Sequence, residues 1–144
     1  MHHLKKFFEY NENSETIYQE LKRISKEISK GLICDKFGSC VHFAELFTLK
    51  VGEKNTDLLN HFQVVEGYVI DSGQKFEHTW VLLENGELID PTFQQFSENG
   101  ERQPITKEVH VYSGKEYFDE CENPSWWHQE RIDAPEHVWK PGYY

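Results

Sequence analysis

Three side chains of complementary chemistry follow one another along the chain: Cys40 in GLICDKFGSCVHFAELF, His78 in KFEHTWVLL and Asp90 in ELIDPTF. A thiol attacks a carbonyl as its thiolate, and the first turn of a helix lowers its pKa through unpaired N–H groups and the positive end of the dipole. Gly38 and Ser39 just before it are small enough for a substrate backbone to come close. The base for such a thiol must titrate near neutrality and be held rigidly, as an imidazole on a strand would be. A carboxylate that accepts from that imidazole fixes its tautomer and orientation. Taken singly, each residue has a plainer reading. Cys40 fits an inert buried cysteine, His78 a satisfied histidine beside Trp80 and Leu82, and Asp90 a strand-end cap for the turn that Pro91 begins.

These residues need elements to position them. In SETIYQELKRISKEISK, residues 14–30, Ile17, Leu21, Ile24 and Ile28 recur at helical spacing, with Asn13 or Ser14 to cap the start and Gly31 to end it. CVHFAELFTLKVG reads as a short, largely buried helix with Phe43, Ala44, Phe47 and Val51 on one face, Leu46 beside them, Ser39 as its cap and Gly52 just past its end. HFQVVEGYVID reads as a strand turning at Asp71-Ser72-Gly73. KFEHTWVLL and ELIDPTF form a hairpin around Asn85-Gly86, SENGERQP is a loop, and EVHVYSG is a further strand. Two helices followed by antiparallel strands define an α+β class, and 144 residues fit one domain, 1–144.

The hairpin contains a test of the triad. A two-residue Asn85-Gly86 turn pairs Val81 with Asp90 and sends the carboxylate to the face opposite His78. A three-residue Glu84-Asn85-Gly86 loop, with Gly86 left-handed, pairs Trp80 with Asp90 and makes His78 its diagonal neighbour on the same face. The triad requires the second.

Taken together, GSCVHFAELF, VVEGYV and HTWVLLENGELIDPT resemble the core of the transglutaminase-like superfamily: a Gly-x-Cys with Ala four residues on, a Gly-Tyr strand, His-x-Trp and Asp-Pro-Thr. The matching positions are Gly38, Cys40, Ala44, Gly67, Tyr68, His78, Trp80, Asp90, Pro91 and Thr92, within residues 36–93. The resemblance implies a papain-like fold, with N-terminal helices packed on an antiparallel sheet. It also implies thiol acyl chemistry on amides: peptide hydrolysis, glutamine deamidation or amine transfer. By that likeness Cys40 attacks, His78 moves the proton, Asp90 orients His78 and Trp80 packs beside the site. Cys34 stands where some papain-fold enzymes place an oxyanion donor; a thiol donates poorly, which leaves the Cys40 N–H and an unidentified second donor. A transglutaminase-like module that binds peptides without turnover is the alternative.

Composition bounds the partners. The formal net charge of −10 argues against nucleic acid, since phosphate binding needs clustered Lys and Arg. The expected partner is a protein or peptide substrate, not a membrane. The start, MHHLKKFFEY, has no apolar signal region, and three cysteines, Cys34, Cys40 and Cys121, do not make a disulfide framework; both favour a cytoplasmic setting. Cys34, Cys40 and His42 lack zinc-ligand spacing, and the chemistry calls for no metal or cofactor. Cys121, among acidic residues, is a poor nucleophile. Trp126 and Trp127 in SWWHQE read as core cover or as walls of a substrate groove.

Overall fold

The structure is a computed structural model that describes residues 2–35, 38–107 and 109–122, with side chains from residue 15 onward. It is α+β. Helix α1 spans His2–Lys30 and α2 Ser39–Lys54, followed by a 3₁₀ helix at Thr56–His61. The strands are β1 (Phe62–Asp71), β2 (Gln74–Leu83), β3 (Leu88–Ile89), β4 (Glu101–Arg102) and β5 (His110–Ser113); a second 3₁₀ helix, Pro91–Gln95, lies between β3 and β4, and α3 (Gly114–Glu122) follows β5. All pairings are antiparallel, in the order β3-β2-β1, with β4 and β5 each pairing a different stretch of β1's other edge. None of the described helices is long and apolar enough to cross a membrane.

The alternation of β1 and β2 divides the sheet residues into two buried sets. Phe62, Val64, Val81, Leu83 and Ile89 join Leu21 and Ile24 of α1, Phe43, Ala44, Phe47 and Val51 of α2, and Tyr117 of α3 in the main core. Ile17 and Ile28 pack against its margin. Burial of these apolar side chains at about 25 cal/mol per Å² drives the helices onto the sheet. The alternate set, Val65, Val69, His78 and Trp80, is as deeply buried but stands outside that cluster. Cys40 is also buried outside it.

Several local expectations change. Helix α1 does not begin at Asn13 or Ser14; no Pro or Gly interrupts His2–Lys30, so nothing forces a stop there. Ser39 does not cap α2. The cap position belongs to Gly38, in the left-handed region at φ 98°, and no side chain closes the cap. Gly52 lies inside α2, where a Cβ would collide with the Phe118 ring, so it admits α3 to close packing and does not end the helix. Leu46 is exposed, on the flank of the buried stripe. Strand β4 falls within the segment expected to be a loop; two residues are too few to show a period.

The turn joining β1 to β2 has Ser72 at φ 54° and Gly73 at φ 77° between the paired Asp71 and Gln74, the form whose twist suits a two-residue hairpin. Asp71 also accepts hydrogen bonds from the Ser97 backbone N–H, at 2.8 Å, and from its hydroxyl. These bonds hold the Asp71 carboxyl below its usual range. They also tie the segment after the second 3₁₀ helix to the end of the sheet.

Candidate active site

Cys40 is the second residue of α2, one turn-start beyond the left-handed Gly38. With no side chain capping the helix, its first-turn N–H groups favour a negative charge at this end. The thiol lies within hydrogen-bonding reach of the His78 imidazole. Both are nearly sealed from solvent, Cys40 at 1 % exposure and His78 at 2 %.

His78 sits on β2 opposite Gly67 of β1. That glycine has a steric reason: a Cβ there would lie 2.7 Å from Cη2 of Trp80. Trp80 fills the space and stacks beside the imidazole, with centroids 6.0 Å apart and planes at 27°. Phe96 meets the imidazole edge-on at 5.0 Å, and Phe93 stands 6.0 Å away. The ring is therefore gripped by aromatic walls. Trp80 itself is 3 % exposed, so it serves as an internal wall of the site.

Asp90 arrives through the hairpin. Leu82 pairs with Leu88 and Val81 with Ile89, and the Leu83 N–H donates to the Glu87 carbonyl at 2.8 Å. The loop is Glu84-Asn85-Gly86, with Gly86 at φ 90°. This is the three-residue loop that the triad requires. Continuing the register sets Asp90 beside Trp80 and diagonal to His78. Pro91 then opens the 3₁₀ helix, and β3 stops after two residues.

The imidazole Nε2 lies 2.8 and 3.0 Å from the two Asp90 oxygens. Its Nδ1 lies 3.2 Å from the Gln95 side-chain nitrogen, which also donates to the Thr92 carbonyl at 3.0 Å. That second bond fixes which end of the amide faces the ring. Nε2–H thus donates to Asp90, and in the neutral ring Nδ1 is the acceptor, facing the Gln95 amide. Burial pulls the His78 pKa down, but the bond to Asp90 and then the interaction with Cys40 outweigh it, and the value is pushed up to about 9.

The Asp90 carboxylate, with its side chain only 2 % exposed, is shared. Thr92 donates its hydroxyl to Oδ1 at 3.2 Å. Arg102 of β4 donates to Oδ2 from Nη2 at 2.6 Å and from Nε at 3.2 Å. The guanidinium also lies over the Phe93 ring at 4.0 Å and faces Trp80 at 5.8 Å. Gln95 and Arg102 were not foreseen from the sequence. Gln95 follows the Asp-Pro-Thr segment in the same short helix, which is a weak signal; Arg102 lay in an apparent loop and gave none.

The chain thus brings Cys40, His78, Asp90 and Trp80 together. Ser39, half-buried, is in the first turn of α2 beside Cys40. Trp126 and Trp127 lie outside the described residues. Cys121 is buried, and burial, followed by the charges of Glu45 and Glu120, pushes its thiol up to about 12. The Cys34 thiol is raised by burial and by Asp35. Among the described residues no group of three or more His, Cys, Asp or Glu is placed to hold a metal ion. No family model, curated protein or solved structure matches the chain.

Proposed function

We propose that the protein is a cysteine-dependent acyl-transfer enzyme acting on amide bonds of a protein or peptide, through a Cys40-His78-Asp90 triad on a papain-like, transglutaminase-like core. The observation that carries this reading is the relay of contacts: the Cys40 thiol at the imidazole, and Nε2 on the buried Asp90 carboxylate. The helix whose first turn holds Cys40 and the antiparallel strands that supply base and orienter support the fold assignment.

In this reaction His78 takes the thiol proton at Nδ1, and the thiolate sulfur bonds to the amide carbon. The carbonyl oxygen becomes an oxyanion, for which the Cys40 N–H is a donor. The imidazolium then gives its proton to the leaving nitrogen, the C–N bond breaks, and a thioester remains on Cys40. Water, or an amine, attacks the thioester and returns the thiol. Peptide hydrolysis, glutamine deamidation and transglutamination share these steps and differ in the leaving and entering groups.

The test is alkylation of the protein by a small haloacetamide across pH, with the modified cysteine mapped by mass, in the native protein and in His78→Ala. Selective modification of Cys40 with an apparent pKa below that of a free thiol, lost in the variant, supports the ion pair. A screen of amide donors with ammonia release as the readout follows. A Cys40 that titrates like a free thiol with and without His78 sinks the proposal. The burial of Cys40 at 1 % favours a second reading, a peptide-binding module of the same fold without turnover. Binding of peptides by a Cys40→Ala variant, with no turnover by the native chain, would select it.

A further inference from the structure

We propose that Arg102 is a positioning residue that draws the Asp90 carboxylate away from His78 and so sets how tightly the imidazole keeps its proton. The role it would have in catalysis rests on the acyl-transfer reading. The geometry behind it stands by itself.

Both partners share Asp90 Oδ2, while His78 Nε2 also reaches Oδ1 at 3.0 Å. Asp90 Oδ2 is 2.8 Å from His78 Nε2 and 2.6 Å from Arg102 Nη2, with Arg102 Nε at 3.2 Å. Arg102 puts two N–H donors, Nε and Nη2, on that single oxygen, a charge-assisted contact that a lysine could make only as a point charge. It is held there from both sides. Backbone pairing of Arg102 with Val69 fixes the origin of the side chain, and the ring of Phe93 lies under the guanidinium.

Two acidic groups meet His78, with a cation behind one of them. From α2 comes the Cys40 thiol, from the end of β3 the Asp90 carboxylate, and behind Asp90, from β4, the Arg102 guanidinium. The second 3₁₀ helix adds the neutral Gln95 amide, and β1 opposite presents only Gly67. Arg102 therefore opposes the imidazolium in two ways. It neutralises the carboxylate that stabilises the ring's proton, and its own positive charge, just behind Asp90, disfavours a second cation nearby. This matters for the reaction, because an imidazolium bound too firmly by an unshared buried carboxylate is a poor acid for the leaving nitrogen. A carboxylate shared with Arg102 still orients the ring and yet lets the proton go.

The sign of the effect separates this from a bracing role. If Arg102 only braces Asp90, its loss lets the carboxylate drift and the His78 pKa falls. If it competes for Asp90, its loss makes the pKa rise. The experiment is a ¹⁵N-imidazole NMR titration of the full chain, with the His78 signal assigned by its disappearance in His78→Gln. In Arg102→Gln the His78 midpoint should rise by ~0.5–1 unit, which is ~3–10-fold more imidazolium at a given pH above the native midpoint. Arg102→Lys keeps a charge but not the paired donors, and should fall between the two. An unchanged or lowered midpoint in Arg102→Gln overturns the proposal. Should that variant not fold, Arg102→Lys decides by the same criterion. The titration needs no turnover, so its failure is distinct from failure of the enzyme reading, which rests on Cys40 alkylation.

Discussion

At the scale of single residues, the site is an argument about one imidazole ring. Asp90 supplies the contact that overcomes desolvation, so Asp90→Asn should lower the His78 midpoint to or below that of a free histidine. Cys40 alkylation at neutral pH should then slow by about 10²-fold, the lower range for loss of acid–base assistance; mass-mapped rates with a small haloacetamide measure it. The raised pKa also links to stability. A histidine held at about 9 when folded and near 6.5 when unfolded stabilises the fold fully below 6.5, and that contribution disappears as pH rises through 9. The most that can be lost is on the order of 3 kcal/mol, shared among His78, Asp90 and Cys40. Urea unfolding at pH 6 and pH 9.5 should therefore show the native chain losing more stability than His78→Gln across the same interval. The thiol, imidazole and carboxylate were legible in the sequence because each is a residue type with specific chemistry. Arg102 was not, because its task depends on a tertiary pairing with β1 that two residues of sequence cannot announce.

At the scale of elements, the hairpin between β2 and β3 determines whether a triad can exist. Asn-Gly is by itself the strongest signal for a two-residue turn, and that turn would place Asp90 on the wrong face. The sequence left both registers open. The structure takes the longer loop, in which Ile89 joins Val81 in the main core while Asp90 turns toward His78. A slip by one residue would exchange those two environments, exposing an isoleucine to the site and pressing a carboxylate into hydrocarbon. Gly86, at φ 90°, makes the loop possible. Gly86→Ala should cost about 1–2 kcal/mol in urea unfolding. If the register slips as well, the raised His78 midpoint should vanish from the NMR titration. The helices were legible in their apolar periodicity, and Gly31 marked the end of α1 at Lys30, but the start of α1 and the end of α2 were not legible. Gly52 looked like a stop and is a contact surface for α3, a distinction that depends on where Phe118 lies in space.

Across the whole molecule, the α+β class could be read from the order of the periods, helical first and alternating later. The tie that joins the N-terminal helix to the β2–β3 hairpin could not. Tyr18 of α1 donates to Glu84 Oε1 at 3.1 Å, His61 meets the same oxygen at 2.7 Å, and the Glu84 N–H donates to the His61 carbonyl. Glu84 is the first residue of the loop that sets the position of Asp90, so α1 and the 3₁₀ helix at Thr56–His61 both bear on the site. Tyr18→Phe should cost about 1 kcal/mol and Glu84→Ala about 2, because the second change removes the acceptor that both rings use; the double variant should cost less than the sum, as measured by denaturant midpoints. A larger consequence follows from the seal over Cys40, whose exposure is 1 %. On the acyl-transfer reading, a donor would reach the sulfur only in a minority population in which the pocket stands ajar. The affinity seen in solution is the intrinsic affinity scaled down by that fraction. A ladder of haloacetamides of growing bulk would gauge it: rates that collapse with size describe a narrow breathing motion, and rates indifferent to size describe a door that swings wide.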